Sequence, residues 1–283
     1  VAAPFLVVAL VVGLAVALFQ TATQLQESVL AFVPKLVATL LVMALDEIEG
    51  MKAVMPRIQR GWVDQILVVD GGSTDGTIEW ARANGYEVYV QKEPGFRNAY
   101  REVWPLVQGD VVIYFTPDGN SIPETIPALI RKVGEGCELV IASRYLDGAK
   151  SEDDDGITRF GNWMFRTLAN RLLRPKGTPR MTDPLVMLRA HRKDLPSRLG
   201  LDRPEPFERL ERLFRTRVDW LPLMSWRALT HGIRWTEIPA DEPPRIGGSR
   251  KLKVFKWGAV YLLQLLAEWW ESRWCKRRTV TRL

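Results

Sequence analysis

Apolar and polar positions alternate with two different periods along the chain, and the switches between them predict its elements. Short apolar runs recur as "KLVATLLVM" (35–43), "DQILVVD" (64–70), "YEVYVQ" (86–91), "DVVIYFT" (110–116) and "CELVIAS" (137–143). Their length and β-branched content suit strands buried in a sheet. Between them, "DEIEGMKAVMPRIQ", "TDGTIEWARANG", "RNAYREVWPLV" and "PETIPALIRKVGEG" have helical spacing. Thr74 or Asp75 can cap the second of these and Gly85 closes it, while the fourth has Pro at its start and Gly at its end. Strand–helix alternation predicts an α/β fold with a doubly wound, mainly parallel sheet. Ligands of such sheets bind beyond the carboxyl ends of the strands.

Past Tyr145 the rhythm changes. "LDGAKSEDDDG" reads as a solvated acidic loop, followed by a helix from Ile157 to about Leu173. "TDPLVMLRAHR" (182–192) looks like a return to the sheet, 203–231 reads as helical, and "IRWTEIP" (233–239) as a late strand. A Pro/Gly-rich basic loop, "ADEPPRIGGSRKLK", leads into "VFKWGAVYLLQLLAEWWESRW". Gln264 and Glu268 interrupt that last apolar run and tryptophans flank it, the pattern of a helix lying in a membrane interface. At the other end, Val1 to Phe19 carries no charge. As a helix it would match the roughly 30 Å hydrocarbon core of a bilayer. It has no basic flank and no cleavage site, so an anchor is expected rather than a cleaved signal. Three parts result: a hydrophobic segment (1–34), an α/β domain (35–240), and a basic loop with a Trp-rich helix (241–283).

Composition narrows the partners. The 283 residues are 47% apolar with a net charge of +6, and residues 241–283 hold ten Lys/Arg against four Asp/Glu, so the rest is neutral. A basic, Trp-rich tail suits a lipid surface; the domain lacks the basic face of a nucleic-acid module. Two cysteines and two histidines without ligand spacing argue against a zinc site.

The chemistry gathers at strand ends. Asp46 and Glu47 follow the first strand, Asp70 ends the second in "VVDGGSTDGT", and Asp118 follows the fourth in "FTPDGNSIPE". Neither a Walker A loop nor a dinucleotide fingerprint is present. Asp70 would repel a pyrophosphate but could accept from a ribose hydroxyl or a base N–H, with Gly71 and Gly72 allowing a tight turn and close approach of a ring. Asp118 and Asn120, one glycine apart, could share a Mg²⁺ or Mn²⁺ ion, which prefers one or two carboxylates plus substrate phosphates. Each signal alone is also ordinary turn chemistry.

As an ordered set, "TLLVMALDEIEG", "VVDGGSTDGT", "FTPDGNSIPE", "IASRYLDGAK" and "TDPLVMLRA" resemble family 2 glycosyltransferases of GT-A fold, notably the branch of dolichyl-phosphate mannose synthase and other polyprenyl-phosphate glycosyltransferases. The resemblance covers about Lys35 to Arg192, and "RIGGSRKLK" more loosely. It implies an inverting, metal-dependent transfer from a nucleotide-diphosphate sugar, with the catalytic domain at the cytoplasmic membrane face. Leu45, Asp46, Glu47, Asp70 and Gly71 would border the nucleoside, and Asp118 the metal and diphosphate. Two departures stand out. The family's Pro-x-Leu-Asn-Glu is here Met43-Ala44-Leu45-Asp46-Glu47, and its Asp-x-Asp is Asp118-Gly119-Asn120.

For the acceptor, Ser143, Arg144 and Arg159 match positions that contact a lipid phosphate in the synthases, where paired guanidinium groups bind bidentately. Arg250 and Lys251 would close over the diphosphate on a mobile lid. A phosphate acceptor needs no base. A hydroxyl acceptor, such as a glycan or a small metabolite, would need one, and Asp183 is the first candidate. A non-catalytic membrane scaffold of the same fold is the remaining alternative.

Overall fold

In the computed structural model, which describes residues 36–247 and 254–280, the apolar runs join one seven-stranded sheet. Its strands are β1 (Ala38–Ala44), β2 (Gln65–Asp70), β3 (Glu87–Val90), β4 (Val111–Phe115), β5 (Leu139–Ser143), β6 (Arg189–Arg192) and β7 (Trp235–Pro239). They are ordered β3-β2-β1-β4-β6-β5-β7. Every pairing is parallel except those of β6, which runs antiparallel between β4 and β5. β1, β4 and β5 are buried at every position, which is why each reads as a continuous apolar run rather than an alternation.

The helices are α1 (Ile48–Val54), α2 (Thr77–Ala83), α3 (Phe96–Val103), α4 (Ile126–Gly134), α5 (Gly156–Leu172), α6 (Leu195–Arg198), α7 (Glu205–Phe214), α8 (Leu221–Thr230) and α9 (Val254–Val280). The 203–231 segment thus divides in two, broken where Arg215 adopts a left-handed φ of 46°. The return to the sheet is shorter than its apolar run suggested. Only Arg189–Arg192 pairs, and 185–188 instead borders a crevice. Asp75, not Thr74, accepts from the Thr77 backbone N–H at the start of α2, at 3.0 Å.

β6 explains how charged residues sit in a sheet. The fully buried Arg189 donates to the Leu221 carbonyl at 3.1 Å, to Ser225 Oγ at 2.9 Å, and to the Pro184 and Val186 carbonyls. His191 Nε2 meets the Tyr114 hydroxyl at 3.1 Å, and burial lowers the imidazole pKa to about 4.

α9 packs on α5, α7 and α8. Its two polar interruptions face the protein. Glu268 accepts from Arg227 Nε at 3.0 Å, and Gln264 is buried. Phe255, Leu263, Leu266, Trp270 and Trp274 are exposed. No helix among the described residues is long and apolar enough to cross a membrane. The expected anchor (1–34) and the lid cations Arg250 and Lys251 lie outside the described residues.

Candidate active site

A crevice of about 740 Å³ opens beyond the carboxyl ends of β1 and β4. Leu45, Glu47, Gly71, Asp118, Asn120 and Arg144 line it. Two strand-end loops build its acidic corner. α1 starts directly after Glu47, and Gly50 on that helix lies so close to the Pro117 carbonyl that a Cβ would collide with it. That contact brings Glu47 beside Asp118. Within the second loop, Asp118 Oδ1 accepts from the Asn120 backbone N–H at 3.1 Å, and Gly119 takes a φ of +93°.

Both acids are buried, and Arg245 joins them. Its Nη1 lies 3.0 Å from Glu47 Oε1, and its Nη2 lies 2.7 Å from Asp118 Oδ2. The neighbouring Ile246 N–H donates to the Asp118 carbonyl at 2.7 Å, pinning this segment across the corner. A Cβ on Gly119 would stand 2.7 Å from the Ile246 side chain, so the close approach requires glycine. Asn120 Nδ2 donates to Asp153 Oδ2 at 3.1 Å, which leaves Asn120 Oδ1 buried without a hydrogen-bond partner. Among the described residues no cluster of three or more His, Cys, Asp or Glu could hold a metal alone. The oxygen donors of Asp118 and Asn120 nevertheless fit an ion that arrives with a diphosphate, because Mg²⁺ and Mn²⁺ commonly take most of their shell from phosphates and water.

Asp46 and Asp70 hold the loops rather than line the crevice. Asp46, at φ 49°, accepts from the Thr74 N–H at 2.8 Å, and its own N–H donates to Ser73 Oγ at 2.8 Å. Asp70 is fully buried. Its Oδ1 accepts from the Gly72 and Ser73 N–H groups at 2.8 and 2.7 Å, and its Oδ2 from Ser73 Oγ at 2.6 Å. Gly72, at φ +95°, makes that turn possible. Any contact of Asp70 with a nucleoside requires this turn to open.

Arg144 and Asp183 find each other. The guanidinium binds Asp183 through Nε at 2.6 Å and Nη2 at 3.0 Å, and reaches Glu242 through Nη1 at 3.1 Å. Burial opposes its charge, but the two carboxylates more than compensate and hold it protonated well above the ordinary arginine range. Asp183 is 1% exposed with both oxygens on Arg144, and it is not among the residues that line the crevice. Ser143 Oγ lies 2.5 Å from Thr182 Oγ1, in the same buried network. Arg159 lies apart from that network. It lines a second hollow with Lys150, Trp163 and Arg166, of which Arg144 forms one wall.

The acidic "EDDD" run is only in part a solvated loop: Glu152 and Asp155 are exposed, while Asp153 and Asp154 turn inward. Asp153 holds Asn120, Asp154 is buried against Tyr145 and Asn162, and Asp155 caps α5 by accepting from the Thr158 N–H at 2.7 Å. Arg245, Glu242, Asp153 and Asp219 also line the crevice, although the sequence pattern did not single them out. A signal for Arg245 was available, since it stands in the same basic "RIGGSRKLK" stretch as Arg250 and Lys251.

Residues 59–193 match the glycosyl transferase family 2 description. Residues 1–47 match bacterial export proteins, family 3. A polyprenol monophosphomannose synthase of Mycolicibacterium smegmatis is 28% identical over 239 residues, covering 75% of this chain and 83% of that one. An undecaprenyl-phosphate mannosyltransferase of Micrococcus luteus is 27% identical, covering 80% of this chain and 93% of its own. The structure of glucosyl-3-phosphoglycerate synthase from Mycobacterium tuberculosis, in complex with Mn²⁺, UDP and phosphoglyceric acid, superposes with a TM-score of 0.55 at 22% identity. That superposition covers 83% of this chain and 79% of the synthase. Residues 59–193 thus carry the glycosyl transferase family 2 match, and with this fold and these relatives the chain is a glycosyltransferase of GT-A fold, similar to the polyprenyl-phosphate mannosyltransferases.

Proposed function

We propose that the chain transfers a sugar from a nucleotide-diphosphate donor to a polyprenyl phosphate, at the cytoplasmic face of a membrane. One observation carries the acceptor reading. The crevice that begins at Glu47 and Asp118 continues along an apolar wall of Ile157, Phe160, Met164, Trp257 and Leu262, supplied by α5 and α9. Phe160 and Phe255 at its rim are 60% and 81% exposed, a large apolar surface for a soluble acceptor to leave uncovered. The M. smegmatis and M. luteus relatives, whose names specify polyprenol and undecaprenyl phosphate, support the same class.

In this reading Leu45 and Gly71 border the nucleoside, and Asp118 with Asn120 would hold Mg²⁺ or Mn²⁺ together with the diphosphate. A bound ion would supply Lewis-acid stabilisation to the departing nucleoside diphosphate. Arg245, released from the two carboxylates, would carry its positive charge to the same phosphates. The acceptor phosphate is already an anion, so the engagement of Asp183 by Arg144 removes nothing the reaction needs. Arg159, Arg166 and Lys150 provide the cationic approach for that phosphate. The Trp270 and Trp274 stripe of α9 would rest in the lipid interface.

Extraction tests this directly. Label from a panel of UDP-, GDP- and dTDP-sugars should enter the organic phase only when polyprenyl phosphate and Mn²⁺ are present, and Asp118→Ala should abolish it with the fold retained. Label that stays aqueous with every donor would refute the lipid acceptor.

A further inference from the structure

We propose that Asp219 is a sugar-reading residue of the crevice: its carboxylate accepts a hydrogen bond from a hydroxyl of the transferred sugar. The inference rests on the nucleotide-sugar reading above and adds the residue that would distinguish the sugar from the rest of the donor. Strand order gives the placement. In the sequence of strands β2-β1-β4-β6, the donor reading would put the nucleoside at β2 and β1 and the diphosphate corner at the end of β4. The next position across the sheet is the start of β6, because antiparallel pairing sets Tyr114 of β4 opposite Arg189. Leu188 and Met187 precede β6 and line the crevice there. Arg189 donates to the Leu221 carbonyl at 3.1 Å, which fixes the start of α8, and with it Asp219, at the same place.

Asp219 lines the crevice beside Phe96, Pro222 and Tyr261. The other crevice acids have partners of their own. Glu47 and Asp118 are bridged by Arg245, Glu242 is on Arg144, Asp153 is on Asn120, and Asp241 accepts from the Lys150 N–H. Asp219 makes no ion pair among the described residues, and its Oδ1 accepts from the Leu221 N–H at 3.1 Å. A carboxylate 7% exposed, held by backbone at one end and set among apolar and aromatic walls, suits a neutral polyol better than a second cation. Phe96 and Tyr261 offer apolar faces to a sugar ring, and the carboxylate offers a strong acceptor to its hydroxyl. Burial also raises the Asp219 pKa to about 6, partly offset by backbone N–H groups and by Arg189. Arg189 from β6, Tyr100 from α3, Tyr114 from β4 and Tyr261 from α9 are the titratable groups around it.

The test compares a nucleoside diphosphate with the matching nucleotide sugar by calorimetry, with Mn²⁺ at pH 7.5, in the full chain. Asp219→Asn keeps the shape and an oxygen for the Leu221 N–H. It should bind the nucleoside diphosphate as the wild type does, yet lose about 10- to 100-fold of the affinity that the sugar adds, the worth of a charged hydrogen bond. Asp219→Ser, smaller but still able to accept, should fall between the two. An unchanged sugar increment in Asp219→Asn overturns the proposal. So does an Asp219→Asn chain that binds donor normally but turns over slowly, which would instead assign Asp219 to proton transfer. Failure of the wild type to bind either nucleotide would strike at the donor reading itself, and is thereby distinguishable.

Discussion

Replacing Asp183 by Ala separates a structural role from a catalytic one. The substitution strands a guanidinium that is 10% exposed and that loses two contacts, at 2.6 and 3.0 Å, keeping only Glu242. Removing one member of a buried pair leaves an uncompensated charge and costs about 3–5 kcal/mol. In a domain of this size each kcal/mol lowers the melting temperature by about 2–4 °C, so a fall of about 6–20 °C is expected. Thermal unfolding followed by circular dichroism measures it. Asp183→Asn, which retains one acceptor oxygen, should lose about half as much. Arg144→Met combined with Asp183→Leu should recover much of the loss, because an apolar pair leaves no charge stranded. An Asp183→Ala chain that melts within about 2 °C of the wild type would refute the buried-pair role of Asp183. An Asp183→Asn enzyme with wild-type melting and no turnover on a hydroxyl acceptor would restore Asp183 as a base.

Arg245→Gln removes the internal cation between Glu47 and Asp118. It should tighten Mn²⁺ binding in the absence of nucleotide, read by electron paramagnetic resonance, while weakening nucleoside-diphosphate binding about tenfold or more, since a charged contact to phosphate is lost. Asp219 should make stability fall as pH rises. Its folded pKa of about 6 exceeds the unfolded value of 3.8, so the native state holds the extra proton between those values and loses that advantage above them. Asp219→Asn should therefore match the wild type near pH 4 and exceed it by up to about 3 kcal/mol at pH 7.5, measured by urea unfolding. His191 acts in the opposite sense. Its pKa of about 4 lies below the ordinary 6.5, so His191→Gln should flatten the rise in stability between those pH values. Trp270→Ser with Trp274→Ser should weaken sedimentation with anionic vesicles several-fold and leave donor binding unchanged.

A stability deficit at Asp219 accords with its proposed task. An acid that is buried without an ion pair destabilises the fold at neutral pH, and such groups concentrate where a ligand completes them.

The sequence by itself determined the sheet and the corner of the crevice. Runs such as "VVIYF" and "LVIAS" are apolar at every position because both faces of their strands are covered, and no other environment explains them as economically. The Asp118-Gly119-Asn120 turn was legible too, because adjacent residues carry the chemistry of a tight turn. Only the tertiary structure decided which acids are open and which are closed. Asp70 and Asp183 look like ligands in the sequence, yet one is consumed by its own turn and the other by Arg144, 39 residues away. Arg245 reaches Glu47 across 198 residues, and Asp219 becomes a crevice residue because β6 enters the sheet between β4 and β5. A carboxylate's role depends on where its lone pairs end, and long-range packing sets that geometry beyond the reach of local pattern.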